Sequence, residues 1–338
     1  MPLKMTSTSK LIDGTLYEAL CDPISHRSLI LNSSLGLFND KGTLYKFVDS
    51  NPRVIDFIEP VMKSDRDNAN LEMYNSQNSA EIYRNFLNWL FETFGENEQD
   101  FRSKTLERLK LSRGMKVLVT GCGLGDDLSI ILNSIGAEGQ VHAQDLCKSM
   151  VISAAGRSAQ GNVCFSISNA ISLPYVSRYF DAVFHFGGIN LFGDTKKAIA
   201  EMERVCRVGG RVVFGDEGVA SHLRGTRYAD IAINNNRLWA AEAPMNWLPH
   251  NATNIELTYV LGNCFYLIAF TPSSGYPQMN LDVEHKGLRG GSARTRYFGQ
   301  VEGVTEKTKG KLIKKAKERG VSIHSLLEEI INSNISDE

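Results

Sequence analysis

The residues with most chemistry to offer lie in one stretch, Gly121-Cys-Gly123-Leu-Gly125-Asp126-Asp127. A short apolar run, Val117 to Val119, leads into this turn, and Leu128, Ile130, Ile131, Leu132 and Ile135 follow it at helical spacing. A strand–glycine turn–helix of this kind can present backbone N–H groups to a nucleotide. Past a second strand-like run (Gln140 to Gln144) stands Asp145, where a carboxylate can accept hydrogen bonds from a ribose diol. The glycine spacing narrows the ligand. A dinucleotide fingerprint needs a third glycine at position 126, and this chain has Asp126. Two carboxylates at a helix N-terminus would repel a pyrophosphate. They would not oppose a sulfonium or an ammonium, so the pattern suits S-adenosylmethionine better than NAD.

The elements that must position these residues follow in order. Val163–Asn169 reads as a third strand ending in a polar residue. Phe180-Asp181-Ala-Val-Phe184 reads as a fourth strand, Lys197–Val205 as an amphipathic helix, and Arg211–Phe214 as a fifth strand after a Val208-Gly209-Gly210 turn. Strands alternating with helices predict an α/β fold with parallel pairing through right-handed crossovers. Ile255–Leu261 and Cys264–Phe270, flanking Gly262-Asn263, predict a closing hairpin.

With these residues in place, the chain resembles the class I S-adenosylmethionine-dependent methyltransferases, most of all their quinone-methyltransferase-like branch, over roughly residues 84–270. The motifs are the glycine turn, Gln144-Asp145-Leu146 with Met150, Asn169-Ala170 with Leu173-Pro174, Phe180-Asp181, and Glu201-Met202 with Arg204-Val205 before Gly209-Gly210. The resemblance implies a doubly wound, mostly parallel seven-stranded sheet, a Rossmann-like methyltransferase fold. It implies that Gly121, Gly123 and Gly125 pass under the methionine part of S-adenosylmethionine. Asp145, with Leu146 beside it, would hold the ribose, and Asn169 and Ala170 would flank the adenine. Three positions depart from the family pattern: Val119 where an acidic residue is usual, Asn169 where aspartate is usual, and Val208 where proline is usual.

Composition bounds the rest. Across 338 residues, 37 Lys and Arg face 38 Asp and Glu, a formal charge of -1, so whole-chain electrostatics make no case for nucleic acid. The 42% hydrophobic and 22% charged fractions are those of an ordinary globular protein. No apolar run approaches the roughly 20 residues of a membrane span, and no signal-peptide pattern opens the chain, so a cytoplasmic protein is expected. Six cysteines scattered without C-x-x-C spacing are expected as buried thiols.

Three units are expected. Residues 1–60 form a small β-rich N-terminal unit, with runs at Leu29–Leu31, Leu35–Phe38 and Leu44–Val48. It resembles a zinc ribbon that keeps only Cys21, with Ser25 and His26 nearby, so no metal site is expected. Residues 61–270 form the methyltransferase domain, with 61–78 as a polar linker, an amphipathic helix over Ala80–Phe94, and Tyr74 and Tyr83 as candidate lid residues. Residues 271–338 form a C-terminal helical extension. Its basic loop, His285 to Tyr297 with Arg289, Arg294 and Arg296, could clamp an anion. A strand-like Arg294–Val301 run, then helices over 305–320 and 322–331, are similar to a ribbon-helix-helix module, which suggests packing or a homodimer through the extension.

The preferred reading is methyl transfer to a small organic molecule. Asp216 and Glu217 follow the fifth strand, where open parallel sheets bind ligands. Glu217 is the candidate general base, with His222 second. The alternatives are an RNA-modifying methyltransferase and a non-catalytic cofactor-binding regulator of the same fold.

Overall fold

The computed structural model describes residues 14–32, 34–58, 64–74, 79–158, 160–286, 288, 290–298 and 305–335. Its elements, in chain order, are β1 (Ile30–Asn32), β2 (Gly36–Phe38), β3 (Leu44–Val48), β4 (Asn51–Asp56), α1 (Asp65–Tyr74), α2 (Ser79–Phe94), α3 (Glu98–Glu107) and β5 (Lys116–Thr120). Then come α4 (Leu128–Ile135), β6 (Gln140–Asp145), α5 (Lys148–Arg157), β7 (Val163–Ile167), β8 (Phe180–Phe186), α6 (Thr195–Val205), β9 (Cys206–Glu217) and α7 (Arg227–Asn235). β10 (Ala252–Val260), β11 (Phe265–Pro272), α8 (Ala293–Phe298), α9 (Glu306–Arg319) and α10 (Ile323–Asn334) complete the chain.

One sheet runs β1-β2-β3-β4-β7-β6-β5-β8-β9-β11-β10. From β7 to β10 this is the expected seven-stranded sheet, with β7, β6, β5, β8 and β9 parallel and β11 and β10 antiparallel. The sheet has eleven strands because the N-terminal segment adds four. β4 pairs parallel with β7, through Val54 opposite Phe165, and β3, β2 and β1 follow antiparallel. The β-rich segment expected as a unit over residues 1–60 thus extends the central sheet. The chain forms two compact units, Met1–Pro277 and Gln278–Glu338.

The central strands are apolar at successive positions because both faces are covered. In β5, Leu118 faces one core, with Val183, Val212, Phe214 and residues of α6. Val117 and Val119 face the other, with Ala182, Phe184, Val213 and residues of α4 and α5. This two-residue alternation repeats in β8, β9 and β11, so each strand fixes both layers at once. Strand order reverses between β5 and β8, which opens a crevice beyond their carboxyl ends. A third apolar cluster roofs that end, built from Leu87, Leu90, Phe91, Phe101, Trp239 and Phe265 with their neighbours.

Several expectations need correction. The presumed linker at 61–78 contains α1. β9 begins at Cys206 and runs through the presumed Val208-Gly209-Gly210 turn, accommodated by a register shift against β8 between Phe180 and Ala182. The strand expected from Arg294 to Val301 is helix α8 as far as Phe298, and residues 299–301 lie outside the described residues. The pairing strand of a ribbon-helix-helix module is therefore missing from the described part. In the same unit, Arg294 Nε and Nη2 donate to Asp282 at 2.7 and 3.1 Å, which occupies the guanidinium proposed as an anion clamp. Arg289 lies outside the described residues, and so does the Arg296 side chain. The two C-terminal helices are as expected. Thr305 and Ser322 accept the Thr308 and Ser325 N–H groups as N-caps, and Gly320 closes α9 with φ +63°.

The knuckle that resembles a zinc ribbon is held by a carboxylate. Asp22 Oδ1 accepts the N–H groups of Ile24 and Ser25 at 3.0 and 2.6 Å, and Oδ2 accepts from Asn39 Nδ2 and Tyr45 Oη at 2.7 Å each. Cys21 Sγ lies 4.0 Å from His26 Nδ1. Among the described residues no group of three or more His, Cys, Asp or Glu is arranged to hold a metal. Burial opposes the Asp22 charge, yet the donors from Asn39, Ser25 and Tyr45 outweigh it and hold the carboxyl below the usual carboxylate range. Asp22→Ala is expected to cost about 2–3 kcal/mol in urea unfolding at pH 7, since it removes bonds to a charged acceptor and orphans Tyr45 Oη. A depressed folded pKa confers stability above the unfolded value, so the difference from wild type should shrink as pH falls below about 4.

Candidate functional site

The crevice is built by two glycine turns facing each other. The turn after β5 needs glycine for its backbone, with φ +60° at Gly121, +51° at Gly123 and +77° at Gly125. The end of β6 fixes its shape, because Asp145 Oδ2 accepts the Gly123 N–H at 2.8 Å and Oδ1 accepts the Cys147 N–H at 2.8 Å. Burial raises the Asp145 pKa, opposed by the donors from Cys147, Gly123 and Leu146. The turn after β8 is Gly187-Gly188, with φ +83° and +97°.

A cavity between these turns is lined by Gly121, Gly123, Asp145, Leu146, Asn169 and Ala170. Six of the seven residues expected to touch the cofactor therefore meet in one place. Gly125 does not line it. A Cβ there would stand 2.9 Å from Leu128 and 3.1 Å from Ala154, so this glycine serves helix packing. Lining residues that escaped the sequence reading include Asp67, Gly187 and Gly188, and Gln144, read only as part of a motif, lines it too. At Gly187 and Gly188 an added Cβ would meet nothing within 4 Å, so bare backbone leaves open space along the wall. Gln144 Nε2 donates to the Ser168 carbonyl and its Oε1 accepts the Gly121 N–H at 3.4 Å. Acceptors at Asp145, flanked by the apolar Leu146, Met150 and Ala170, fit a ribose diol joined to a flat purine ring.

The acidic pair after the glycine turn carries a different meaning from the expected one. Asp126 and Asp127 are neutralised from three elements. Arg102 of α3 lies 2.8 Å from Asp127, Arg157 of α5 lies 2.9 Å from Asp126, and Arg84 of α2 pairs with Asp126 and, at 3.0 Å, with Glu98. The pair thus offers no free negative charge to attract a cationic ligand. It ties the turn to α2 and α3. The Arg102 pKa is raised, desolvation being outweighed by Asp127.

A second cavity, about 540 Å³, adjoins the first and shares Tyr83, Gly121, Gly187, Gly188 and Leu191 with it. Its walls are largely aromatic and aliphatic, including Phe86, Phe91, Phe101, Phe186, Leu238 and Phe265. At its edge lie Asp216 and Glu217, both buried at the end of β9. Asp216 accepts the N–H groups of Gly188 at 3.0 Å and Asn190 at 2.6 Å, which shapes the second glycine turn. Glu217 Oε1 accepts from Asn236 Nδ2 at 3.2 Å. Burial, then the Asp216 charge, pushes the Glu217 carboxyl well above the usual range. His222, the second candidate base, is exposed on a turn (Ser221–Leu223) and lines neither cavity. Of the two candidate lid residues, Tyr83 lines both cavities, and the Tyr74 side chain lies outside the described residues.

Residues 111–262, which carry both cavities' strand ends, match a family model described as a methyltransferase domain. This segment is a methyltransferase domain. The resemblance to class I S-adenosylmethionine-dependent methyltransferases is borne out over it. The chain is similar to the demethylmenaquinone methyltransferase of Lactococcus lactis, 32% identical over 116 residues, covering 33% of this chain and 46% of that protein. It is also similar to the demethylmenaquinone methyltransferase of a Geobacillus strain, 27% identical over 143 residues, covering 41% of this chain and 56% of that one. The chain spans about half the length of these relatives. Among solved structures, phosphoethanolamine N-methyltransferase 2 of Haemonchus contortus, in complex with S-adenosyl-L-methionine, aligns at 16% identity and TM-score 0.49, covering 64% of this chain and 61% of that one. No helix among the described residues is long and apolar enough to cross a membrane.

Removing Arg102 leaves Asp127 without its cation, while Glu98 keeps Arg84. Arg102→Ala should destabilise the fold by about 3 kcal/mol or more in urea unfolding, as expected for a buried charge left unpaired. Added salt should not restore it.

Proposed function

We propose that the protein transfers a methyl group from S-adenosylmethionine to a small, largely apolar organic acceptor, with Glu217 as the general base. The observation that carries this reading is the shared wall: the cavity lined by the glycine turn, Asp145 and Asn169 adjoins a largely apolar cavity with buried Glu217 at its edge, a carboxyl that burial pushes above the usual range. Gly121, Gly123, Asp145, Leu146, Asn169 and Ala170 hold the cofactor in this reading, which supplies an electrophilic methyl on its sulfonium. The aromatic walls of the second cavity orient the acceptor and exclude water. Glu217 takes the proton that an acceptor hydroxyl or activated carbon releases. The largely apolar cavity, lined by acids and, among the described residues, by Arg102 as its one basic residue, favours a small molecule over RNA.

Calorimetric titration with S-adenosylmethionine and S-adenosylhomocysteine, with NAD as control, tests the cofactor. Binding of NAD alone would reject the reading. Binding of the adenosyl ligands without turnover of any apolar acceptor would favour the non-catalytic regulator. Asp145→Ala should lose about 1.5–3 kcal/mol of S-adenosylhomocysteine affinity, the range for a hydrogen bond to a charged group. Unchanged affinity would refute its ribose role. Once an acceptor is found, Glu217→Gln should lower kcat about 100-fold or more while leaving S-adenosylhomocysteine affinity unchanged. Because the Glu217 pKa is raised, wild-type kcat should climb with pH through the neutral range, above the window of an ordinary carboxylate. A flat profile there would exclude Glu217 as the base.

A further inference from the structure

Helix α1 brings a carboxylate to a corner where the sequence motif offers only an amide. Asp67 is 2% exposed and lines the cavity assigned to the cofactor, beside Asn169. Its Oδ2 accepts from Asn169 Nδ2 at 3.1 Å and from the N–H and hydroxyl of Ser64 at 2.9 Å each. Its Oδ1 accepts only the Gly193 N–H, at 3.2 Å, among the bonds formed by described residues. A carboxylate oxygen has two lone-pair directions, so Oδ1 keeps capacity for a further donor. Asp67 also settles which way Asn169 points. Nδ2 donates to the carboxylate and Oδ1 accepts the Ile171 N–H at 3.2 Å, which fixes the amide against a flip.

We infer, on the basis of the cofactor reading above, that Asp67 is a specificity residue for the purine of the bound nucleoside. Its carboxylate selects a ring bearing an exocyclic amine and rejects one bearing an oxo group. An amine donates to the carboxylate. An oxo oxygen would set two acceptors against each other in a buried corner. The acidic residue missing at position 169 is thereby supplied from 102 residues upstream.

The test compares S-adenosylhomocysteine with S-inosylhomocysteine, which differ at the 6-position of the base, by calorimetry on the full chain. Wild type should prefer the adenosyl ligand by about tenfold or more, the loss expected when a charged acceptor faces another acceptor in place of a donor. In Asp67→Asn the amide can donate to the oxo group, so the preference should disappear or reverse. Leu71→Ala, on the same helix and lining the same cavity, should weaken both ligands together and keep the preference. Equal wild-type affinities for the two ligands would overturn the inference without any variant. An Asp67→Asn protein that weakens both ligands by one factor would also overturn it, leaving Asp67 as a fastening for α1. Wild type binding neither ligand would instead bring down the cofactor reading itself.

Discussion

A single carboxylate sets the geometry on which the site depends. Asp145 closes β6 and accepts the Gly123 N–H from the turn that closes β5. The parallel pairing of β5 with β6, with Thr120 opposite Gln144, delivers the acceptor to that height. The turn can bend only because its glycines adopt positive φ. The same acid faces the cavity, so holding the turn and lining the site are one task. Asp216 repeats the device across the crevice, where it shapes the Gly187-Gly188 turn from the end of β9. Two strand-terminal acids, each binding backbone N–H groups of a neighbouring loop, thus fix both lips of the crevice.

How much of this was legible in the sequence depended on whether a signal was local. The continuous apolar runs of β5, β8 and β9, the Gly262-Asn263 hairpin and the capped C-terminal helices all carry their information within a few residues, and all form. β4 was not among the expected runs, and a proline at its second position argues locally against a strand. Yet Pro52 stands near the start of the strand, where a missing N–H is tolerated. α3 was missed because Glu98 and Arg102 interrupt its apolar stripe, and their partners lie on α2 and in the glycine turn. α1 carries almost no apolar face, so nothing local distinguished it from a linker.

The site divides in the same way. The glycine turn, Asp145 and Asn169-Ala170 were readable because they sit at strand ends spaced by a regular fold. Gly187 and Gly188 gave no signal of their own, since a pair of glycines after a strand is equally an ordinary turn. Asp67 could not be read at all, because its meaning exists only once α1 rests beside Asn169. The charges of Asp126 and Asp127 were visible and misread. Their counter-ions Arg84, Arg102 and Arg157 come from three separate helices, and only the tertiary structure shows that the acids are neutral in effect.

The distribution of counter-ions is itself an argument about function. Some of the poorly exposed acids are paired, as Asp127 is with Arg102 and Glu201 with Arg204, and buried Asp22 is held by donors from Asn39, Tyr45 and Ser25 instead. Asp67, Asp216 and Glu217 are buried, and Asp145 is half-buried, with no ion pair among the described residues. A buried carboxylate without a cation depends on hydrogen-bond donors alone. Asp145 and Asp216 each receive two or more backbone donors, which oppose the upward push of burial on their carboxyls. Glu217 accepts from side chains such as Asn236, with no backbone donor among the described residues, and faces the Asp216 charge, so protonation relieves it. Natural sequences violate local consistency mainly where function needs the violation. A carboxyl left underprovided on an apolar wall, beside well-provided acids in the same crevice, is poised to exchange a proton with whatever fills that cavity.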